Sequence, residues 1–341
     1  MALREKVSES ILKYASIPEG KGDVSRRFYY KNYEDNLYCP LGPQALDAYD
    51  KGNGAETKPT EKISKGKLVV SPAKMASIVS SSAMTFNLLG NDPIRVISDN
   101  LIPRGVYDVQ YEKQMYTVKR GSYPAHLDAF LSNIPGKTAV FCEMKFLEWL
   151  GAPGGLKDAY MNENIYFEPD NYAVNFPRNA YEAFSDVIME LTDRLIPDKE
   201  NPKHNTHRSI CTRYDAWQMM KHLLAIYNYT SFVTKSSVEA LGKFPSMAGD
   251  YNRIILLNVV NEFPPECIED ANAREEYIEA LRQEHREAEL FADIIKHSKI
   301  PHLFDNNCGA GIEVKYVSAK QFADVIEMSI DKQEYLKRYF T

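Results

Sequence analysis

Cysteines are few in this sequence, and none of them forms a closely spaced pair. The five cysteines among 341 residues stand at positions 39, 142, 211, 267 and 308, and no C-x-x-C motif occurs. This spacing argues against a disulfide framework and against a zinc knuckle. We therefore expect a protein of the reducing cytoplasm.

Long apolar runs and nucleotide-binding motifs are also absent. No apolar segment approaches the roughly 20 residues of a membrane span, and the first residues, MALREKVSESILKYA, lack the apolar core of a signal peptide. There is no phosphate-binding glycine loop, dinucleotide fingerprint or nucleophile elbow. With 44% apolar and 26% charged residues, the composition is that of an ordinary globular protein.

An excess of positive charge is missing as well, since the formal net charge is -6. That value does not exclude DNA binding, because a binding groove needs only local positive charge. The length is sufficient for one large core or two modest ones.

Residues 123–148 have the pattern of two strands joined by a turn. In the first strand, over 123–131, apolar or small residues alternate with polar ones, which places His126 and Asp128 on one face. The segment NIPG at 133–136 is typical of a turn. In the second strand, over 138–146, Glu143 and Lys145 share a face because strand side chains repeat every second residue.

If these two strands are neighbours, Asp128, Glu143 and Lys145 converge on one patch. Two carboxylates that meet repel each other unless a cation compensates their charge, and an oxygen-rich site suits Mg²⁺, with Mn²⁺ as an alternative. A lysine beside them can hold a water or stabilise charge on a phosphate. We predict Asp128 and Glu143 as metal ligands and Lys145 as the third catalytic residue.

Asp128 followed by Glu143-Met144-Lys145 resembles the D…(D/E)-x-K signature of the PD-(D/E)XK nuclease superfamily. The segments SSSAMTFNLLGN and EMKFLE extend this resemblance, over about residues 73–263, to a bacterial family of restriction endonucleases. The resemblance implies an α/β fold with a restriction-endonuclease-like core, in which helices flank a central mixed sheet. Many members carry a glutamate on the first core helix. None stands between Pro72 and Gly90, so a third acidic group must come from elsewhere.

The predicted elements follow the order of such a core. After a first helix over 3–15, we expect a helix over 72–89, strands over 105–115, 123–131 and 138–146, a helix over 214–227 and a buried strand over 251–263. A charged helix over 271–298, a strand over 311–317 and a short helix complete the chain. We predict an irregular N-terminal extension over 1–70 and a nuclease-like domain over 71–341. An insertion at about 151–205 would contain a helix over 180–195.

The E-x-K pattern occurs three times, so its context decides between the copies. Glu56-Thr57-Lys58 lies in the extension beside Pro59, without strand context. Glu313-Val314-Lys315 lies in a good strand, but nothing after it supplies a helix and a fourth strand. Only Glu143-Met144-Lys145 has the full set of elements around it. The structural alternative is that these are exposed charges on a half-solvated sheet face.

Three further polar residues are auxiliary candidates for the site. Glu112 lies on the more polar face of its strand, and Glu148 matches a second glutamate of the family motif. Gln218 shares a helix face with His222 at i and i+4. Related nucleases often have tyrosine where His222 stands, and this sequence departs from that pattern. Two alternatives stay open: Gln218 and His222 act near the metal or the DNA, or they are a packed or solvent-facing pair.

Basic residues suggest where DNA would lie. A cluster formed by Lys203, His204, His207, Arg208 and Arg213 precedes the helix over 214–227, which carries Lys221. We expect Arg208, Arg213 and Lys221 to contact DNA. The lysines of the extension at 58, 62, 65 and 67 either face a phosphate backbone or belong to a solvated linker.

The sequence thus favours a Mg²⁺-dependent endonuclease that hydrolyses DNA phosphodiester bonds. Cutting both strands usually requires two active sites, so a homodimer is compatible with this function. One alternative is a catalytically inactive nuclease-fold protein that binds DNA or acts as a scaffold. Another is a metal-dependent hydrolase of a different phosphate ester.

Overall fold

The computed structural model describes residues 2–14, 28–51, 56–64, 66–117, 124–167, 177–198, 204–230 and 250–340. Tyr123, Lys65 and Lys203, which entered the predictions above, lie outside these ranges. The helices are α1 (Leu3–Tyr14), α2 (Pro43–Lys51), α3 (Ser81–Leu89), α4 (Glu163–Tyr166), α5 (Arg178–Leu191), α6 (Ala216–Thr230), α7 (Ala271–His297), α8 (Ile300–Cys308), α9 (Ala319–Asp324) and α10 (Ile330–Phe340). No helix of the described ranges is long and apolar enough to cross a membrane.

The strands are β1 (Thr60–Ser64), β2 (Lys67–Ser71), β3 (Ile94–Val96), β4 (Gly105–Met115), β5 (Ala125–Asn133), β6 (Thr138–Lys145), β7 (Leu156–Lys157), β8 (Thr192–Pro197), β9 (Asn205–Ser209), β10 (Arg253–Val260) and β11 (Gly311–Ser318). They form a hairpin of β1 and β2, a three-stranded sheet ordered β7-β9-β8, and a six-stranded sheet ordered β11-β10-β6-β5-β4-β3.

The six-stranded sheet is mixed, as the sequence predicted. Strands β3 to β6 are antiparallel neighbours, whereas β10 is parallel to both β6 and β11. A parallel central strand is buried on both faces, which explains the continuous apolar run IILLNVV in β10. The predicted order of helix, three strands, helix and strand is confirmed as α3, β4, β5, β6, α6 and β10.

Helices cover both faces of this sheet and form two apolar layers. One layer joins α1, α3, α9 and α10 to the sheet, and the other contains α5, α6 and α8. Helix α7 contributes to both, because Tyr277 packs in the first layer and Phe291 in the second. This arrangement is the restriction-endonuclease-like core implied by the resemblance.

The N-terminal segment is more ordered than the predicted irregular extension. It contains α2 and the β1–β2 hairpin, and Tyr30, Leu37 and Tyr49 are buried in the first apolar layer. The expectation of irregular structure was therefore wrong over 43–51, 60–64 and 67–70. The sequence signal was weak because α2 buries only Ala45 and Tyr49 and the hairpin is exposed.

Two helix boundaries also differ from the prediction. Helix α3 begins at Ser81 rather than near residue 72, because Ser80 caps it: its hydroxyl accepts a hydrogen bond from the Ala83 amide. Helix α5 ends at Leu191, and the chain continues as strand β8. The region predicted as an insertion therefore contains strands β7 and β8 of the small sheet as well as helices α4 and α5. His207, a member of the basic cluster that precedes α6, is buried on β9 and contacts Asp158.

A buried glutamate fixes the segment that precedes α6. The Glu287 carboxylate on α7 accepts hydrogen bonds from the backbone amides of Thr212, Arg213 and Tyr214 at 2.8, 2.7 and 2.9 Å. Burial alone would raise the pKa of Glu287, but hydrogen bonds from Gln283 and these amides lower it. An ionised carboxylate with several donors is a strong anchor, and it positions the start of α6 against the sheet.

Candidate active site

The site begins where strands β5 and β6 stop pairing. Their antiparallel ladder runs from Asn133 opposite Thr138 to Ala129 opposite Cys142. Asp128 and Glu143 would form the next pair. Instead, the Asp128 carboxylate accepts a hydrogen bond of 2.6 Å from the Met144 amide. The side chain thus replaces a backbone partner, and the two strands separate around it.

The apolar side chains of β5 also change from one face of the sheet to the other at this point. Ala129 and Leu131 of β5 pack in the first apolar layer, whereas Leu127 packs in the second. The prediction that these residues share one continuous face was therefore wrong. The alternation holds for β6, where Cys142 and Met144 are buried opposite Glu143 and Lys145.

The separated strands open onto a polar cavity of about 620 Å³. Asp128, Glu143 and Lys145 all line it, so the structure brings the three predicted catalytic residues together. The remaining lining residues come from the segment before α3, from α3, β4, β5, β6 and α6 or residues next to these elements, and from the turns after β6 and β7. They are Glu56, Lys74, Ser81, Ser82, Glu112, Thr117, Pro124, Ala125, His126, Met144, Glu148, Tyr160, Asp215, Gln218, Lys221 and His222.

Glu143 is held by a hydrogen-bond network from two elements. Its Oε1 accepts from Lys145 Nζ and from Gln218 Nε2, both at 2.7 Å, and its Oε2 lies 2.9 Å from His222 Nε2. Lys145 Nζ also donates to Gln218 Oε1 at 2.7 Å. Gln218 and His222 therefore face the site together, as the i, i+4 spacing on α6 allows.

The two carboxyl groups differ in their electrostatic environment. Burial raises the pKa of Asp128 well above its ordinary value, and the charges of Glu143 and Glu112 raise it further. Burial would raise the pKa of Glu143 too, but Lys145 and His222 overcome this and lower it to about 2. Burial opposes the charge of Lys145, yet Glu143 and Asp128 raise the pKa of its ammonium group. The site therefore carries an ionised Glu143 and a cationic Lys145, whereas Asp128 forms no ion pair with another of the described residues.

Two of the auxiliary candidates line the cavity in unexpected conformations. Glu112 has a left-handed backbone with φ of 48° and lies where the β4–β5 register would place it opposite Asp128. Such a conformation costs a non-glycine residue on the order of 1 kcal/mol or more and is common at functional sites. Glu148 belongs to a short turn, where its Oε2 accepts a hydrogen bond from the Phe146 amide at 2.6 Å.

The three basic residues expected to contact DNA occupy different positions. Lys221 lines the cavity. Arg213 lies beside it, and its guanidinium donates a 2.7 Å hydrogen bond to the Leu150 carbonyl. Arg208 is on β9, where it contacts the Pro153 carbonyl, and it is not among the residues that line the cavity.

Glu56, which belongs to the E-x-K copy set aside for lack of strand context, is an acidic residue of the cavity. It is 7% exposed, and its carboxylate accepts hydrogen bonds from Ser82 Oγ and Lys74 Nζ, both at 2.6 Å. Although α3 itself has no glutamate, Glu56 of the N-terminal segment places a carboxylate against α3 in the cavity wall. Its E-T-K sequence gave no strand signal, so only the fold reveals its position.

His126 is a second residue whose position matters more than its spacing indicated. It precedes Asp128 by two residues on β5 and lines the same cavity. Both of its ring nitrogens are buried without a hydrogen-bond partner among the described residues, and Nδ1 is 3.6 Å from Glu112 Oε2. The wall of the cavity therefore contains a polar group that a ligand could satisfy.

The competing C-terminal E-x-K copy lies elsewhere. Glu313 on β11 forms an ion pair with Arg253 at 2.6 Å, and Lys315 donates to the Leu101 carbonyl at 2.8 Å. Neither residue lines the cavity. Glu313 and Lys315 are therefore partly exposed charges on the edge strand β11, which agrees with the structural alternative of charges on a half-solvated sheet face.

The same fold and site place the protein in a class, that of restriction-endonuclease-like α/β proteins. Comparison with family models then identifies the family. Residues 6–278 match the family described as Restriction Endonuclease associating with ARP, and the chain belongs to it. Comparison with curated proteins and with solved structures gave no match.

A smaller cavity of about 100 Å³ lies on the other side of Lys145 and Gln218. Glu284 of α7 lines it, 1% exposed, and its Oε2 has no hydrogen-bond partner among the described residues. Burial, followed by the charges of Glu287 and Asp215, raises the pKa of Glu284 to about 8, against the opposing effect of Lys145. Glu284 is therefore protonated at neutral pH.

This shift predicts a pH-dependent stability. In the folded protein the pKa of Glu284 is raised from 4.5 to about 8, so folding favours the protonated carboxyl. The contribution of this group to the free energy of unfolding is fully present below the unfolded pKa. As the pH rises from there to about 8, the free energy of unfolding falls by up to about 1.4 kcal/mol per pH unit. Glu284→Gln should remove that slope. Urea unfolding from pH 5 to 9 measures the slope, and Glu289→Gln on the same helix is the control. If the unfolding free energies of wild type and Glu284→Gln change in parallel with pH, the raised pKa of Glu284 is contradicted.

Proposed function

We propose that this protein is a Mg²⁺-dependent endonuclease that hydrolyses phosphodiester bonds in DNA. The observation that carries the proposal is the meeting of Asp128, Glu143 and Lys145 in one polar cavity at the point where β5 and β6 separate. Membership of a family named for restriction endonucleases supports a nuclease acting on DNA.

The donor set fits Mg²⁺ by its chemistry. The described residues contain no group of three or more His, Cys, Asp or Glu side chains arranged to hold a metal. Mg²⁺ does not require such a cage, since it is usually bound by one or two carboxylates together with waters and substrate phosphates. Asp128 and Glu143 would supply those carboxylates. Burial, followed by the charges of Glu143 and Glu112, raises the pKa of Asp128, so its ionised form needs additional positive charge of the kind that a divalent cation would supply.

When bound, Mg²⁺ would neutralise phosphate charge and promote ionisation of a water. The protein's own residues set the remaining conditions. Gln218 and His222 fix the orientation of the Glu143 carboxylate, and Lys145 keeps it ionised. Since the pKa of the Lys145 ammonium is raised, it suits stabilisation of a pentavalent phosphate better than removal of a proton from water.

DNA contacts outside the chemical centre are proposed for Lys221 and Arg213. Lys221 lines the cavity and Arg213 borders it, so both can lie near a backbone bound there. Arg208 is farther from the site and would act only on DNA that extends across β9. The homodimer stays a prediction.

A catalytically inactive DNA-binding or scaffolding protein is the second candidate. It is favoured by the satisfaction of both Glu143 oxygens within the protein and by the engagement of Asp128 with the Met144 amide. The two candidates differ in whether Asp128 and Glu143 accept a cation.

The first experiment tests catalysis. Asp128→Asn and Glu143→Gln should each reduce Mg²⁺-dependent cleavage of supercoiled plasmid by about 10³-fold or more, because each removes a carboxylate charge from the chemical centre. Both variants should keep the circular dichroism spectrum of the wild type. Glu313→Gln is the matched control, since it changes the C-terminal E-x-K copy and should cut normally. Undiminished cleavage by both site variants would refute the assignment.

The second experiment separates the two candidates by metal binding. Calorimetric titration of the wild-type protein with Mn²⁺ should show saturable binding that Asp128→Asn abolishes. An inactive DNA-binding protein would instead release no binding heat and leave plasmid intact, while still retaining labelled duplex.

A further inference from the structure

The hairpin formed by β1 and β2 is exposed along almost its whole length. Its antiparallel register pairs Thr60 with Ser71 and Ser64 with Lys67. Ile63 is 80% exposed and Leu68 62% exposed, although both are large apolar residues in strands. An isolated two-stranded hairpin is only marginally stable in water, and exposed apolar residues in a cluster usually mark an interaction surface.

The hairpin has two chemically different faces, because directly opposed residues lie on the same side. One face is polar and cationic, with Lys62 opposite Val69 and Ser64 opposite Lys67. The other is mainly apolar, with Ile63 opposite Leu68 and Glu61 opposite Val70. A partner for this element must therefore accept both cationic and apolar contacts.

The base of the hairpin forms part of the cavity wall. Glu56 precedes β1, Lys74 follows β2, and both residues line the cavity that contains Asp128 and Glu143. Their side chains form an ion pair at 2.6 Å, and the Met75 amide donates to the Glu56 carbonyl at 3.0 Å. The hairpin thus projects from the rim of the same cavity, and a polymer that occupies the cavity would pass beside it.

We propose that the hairpin enters the major groove of the DNA duplex whose backbone occupies the cavity. This inference rests on the proposed function and adds how the duplex is held. The major groove admits a two-stranded ribbon, and its thymine methyl groups accept apolar contacts. Ile63 and Leu68 face the base edges. Lys62 and Lys67 start from the opposite face, and their long side chains extend past the strand edges to the flanking phosphates. The cationic face and the shared base with the cavity favour DNA over a protein partner.

Two double variants test the two faces separately. Lys62→Ala with Lys67→Ala removes two phosphate contacts, so the slope of log affinity against log salt should fall by about 1.8 in magnitude. Ile63→Thr with Leu68→Thr should weaken binding several-fold at every salt concentration without changing the slope. Lys320→Ala with Lys337→Ala is the control for net charge, because it removes two exposed lysines from α9 and α10.

The measurement is fluorescence anisotropy of a labelled 30-base-pair duplex with the full chain in EDTA, so that cleavage is not needed. Binding by the wild type and the two predicted losses would support the inference. If the wild type binds and the lysine variant matches it in affinity and slope, the hairpin assignment is overturned while the proposed function stands. If the wild type does not bind duplex at low salt, the proposed function fails and this inference with it. If the Ile63/Leu68 variant changes only the oligomeric mass in light scattering, the hairpin is a protein interface and the inference is overturned.

Discussion

The hydrogen bond from the Met144 amide to the Asp128 carboxylate is the interaction on which the site depends. It lies where the β5–β6 ladder ends after Ala129 and Cys142. An unpaired buried amide would cost free energy, and the aspartate satisfies it while the strands separate. The separation turns two adjacent strand positions, 128 and 143, into the floor of a cavity instead of one more pair in a sheet.

Charge compensation determines the rest of the site. Glu143 is surrounded by Lys145, Gln218 and His222, which hold its carboxylate ionised. Asp128 receives less compensation, and Glu56 and Glu112 add further carboxylates to the cavity wall. Helix α6 has to be positioned accurately for this arrangement. The hydrogen bonds that the backbone amides of 212–214 donate to the Glu287 carboxylate provide that position. The second apolar layer behind α6 then keeps Gln218 and His222 directed at the sheet.

Alternation predicted strands β5 and β6, and the family resemblance implied the order of the core elements. The structure brings Asp128, Glu143 and Lys145 into one cavity, and their catalytic role stays a prediction. Strand periodicity placed Glu143 and Lys145 on one face, and the run IILLNVV identified the buried strand, because both signals are local. The contribution of Glu56 could not be predicted, since it arises from the packing of the N-terminal segment against α3. The change of face in β5 at Asp128 could not be predicted either, because it coincides with a left-handed backbone at Glu112, opposite Asp128 on β4, that no sequence pattern indicates. Helix α3 was predicted too long because a serine cap, not apolar periodicity, sets its start.

The central claim is that Asp128 and Glu143 converge to accept one divalent cation. Anomalous diffraction from crystals soaked in Mn²⁺ tests it most directly. The account predicts a single strong peak in the cavity, within about 2.2 Å of oxygens from both carboxylates, and its loss in Asp128→Asn crystals. A cavity without a peak, or a peak at Glu313 on the far edge of the sheet, would contradict the account.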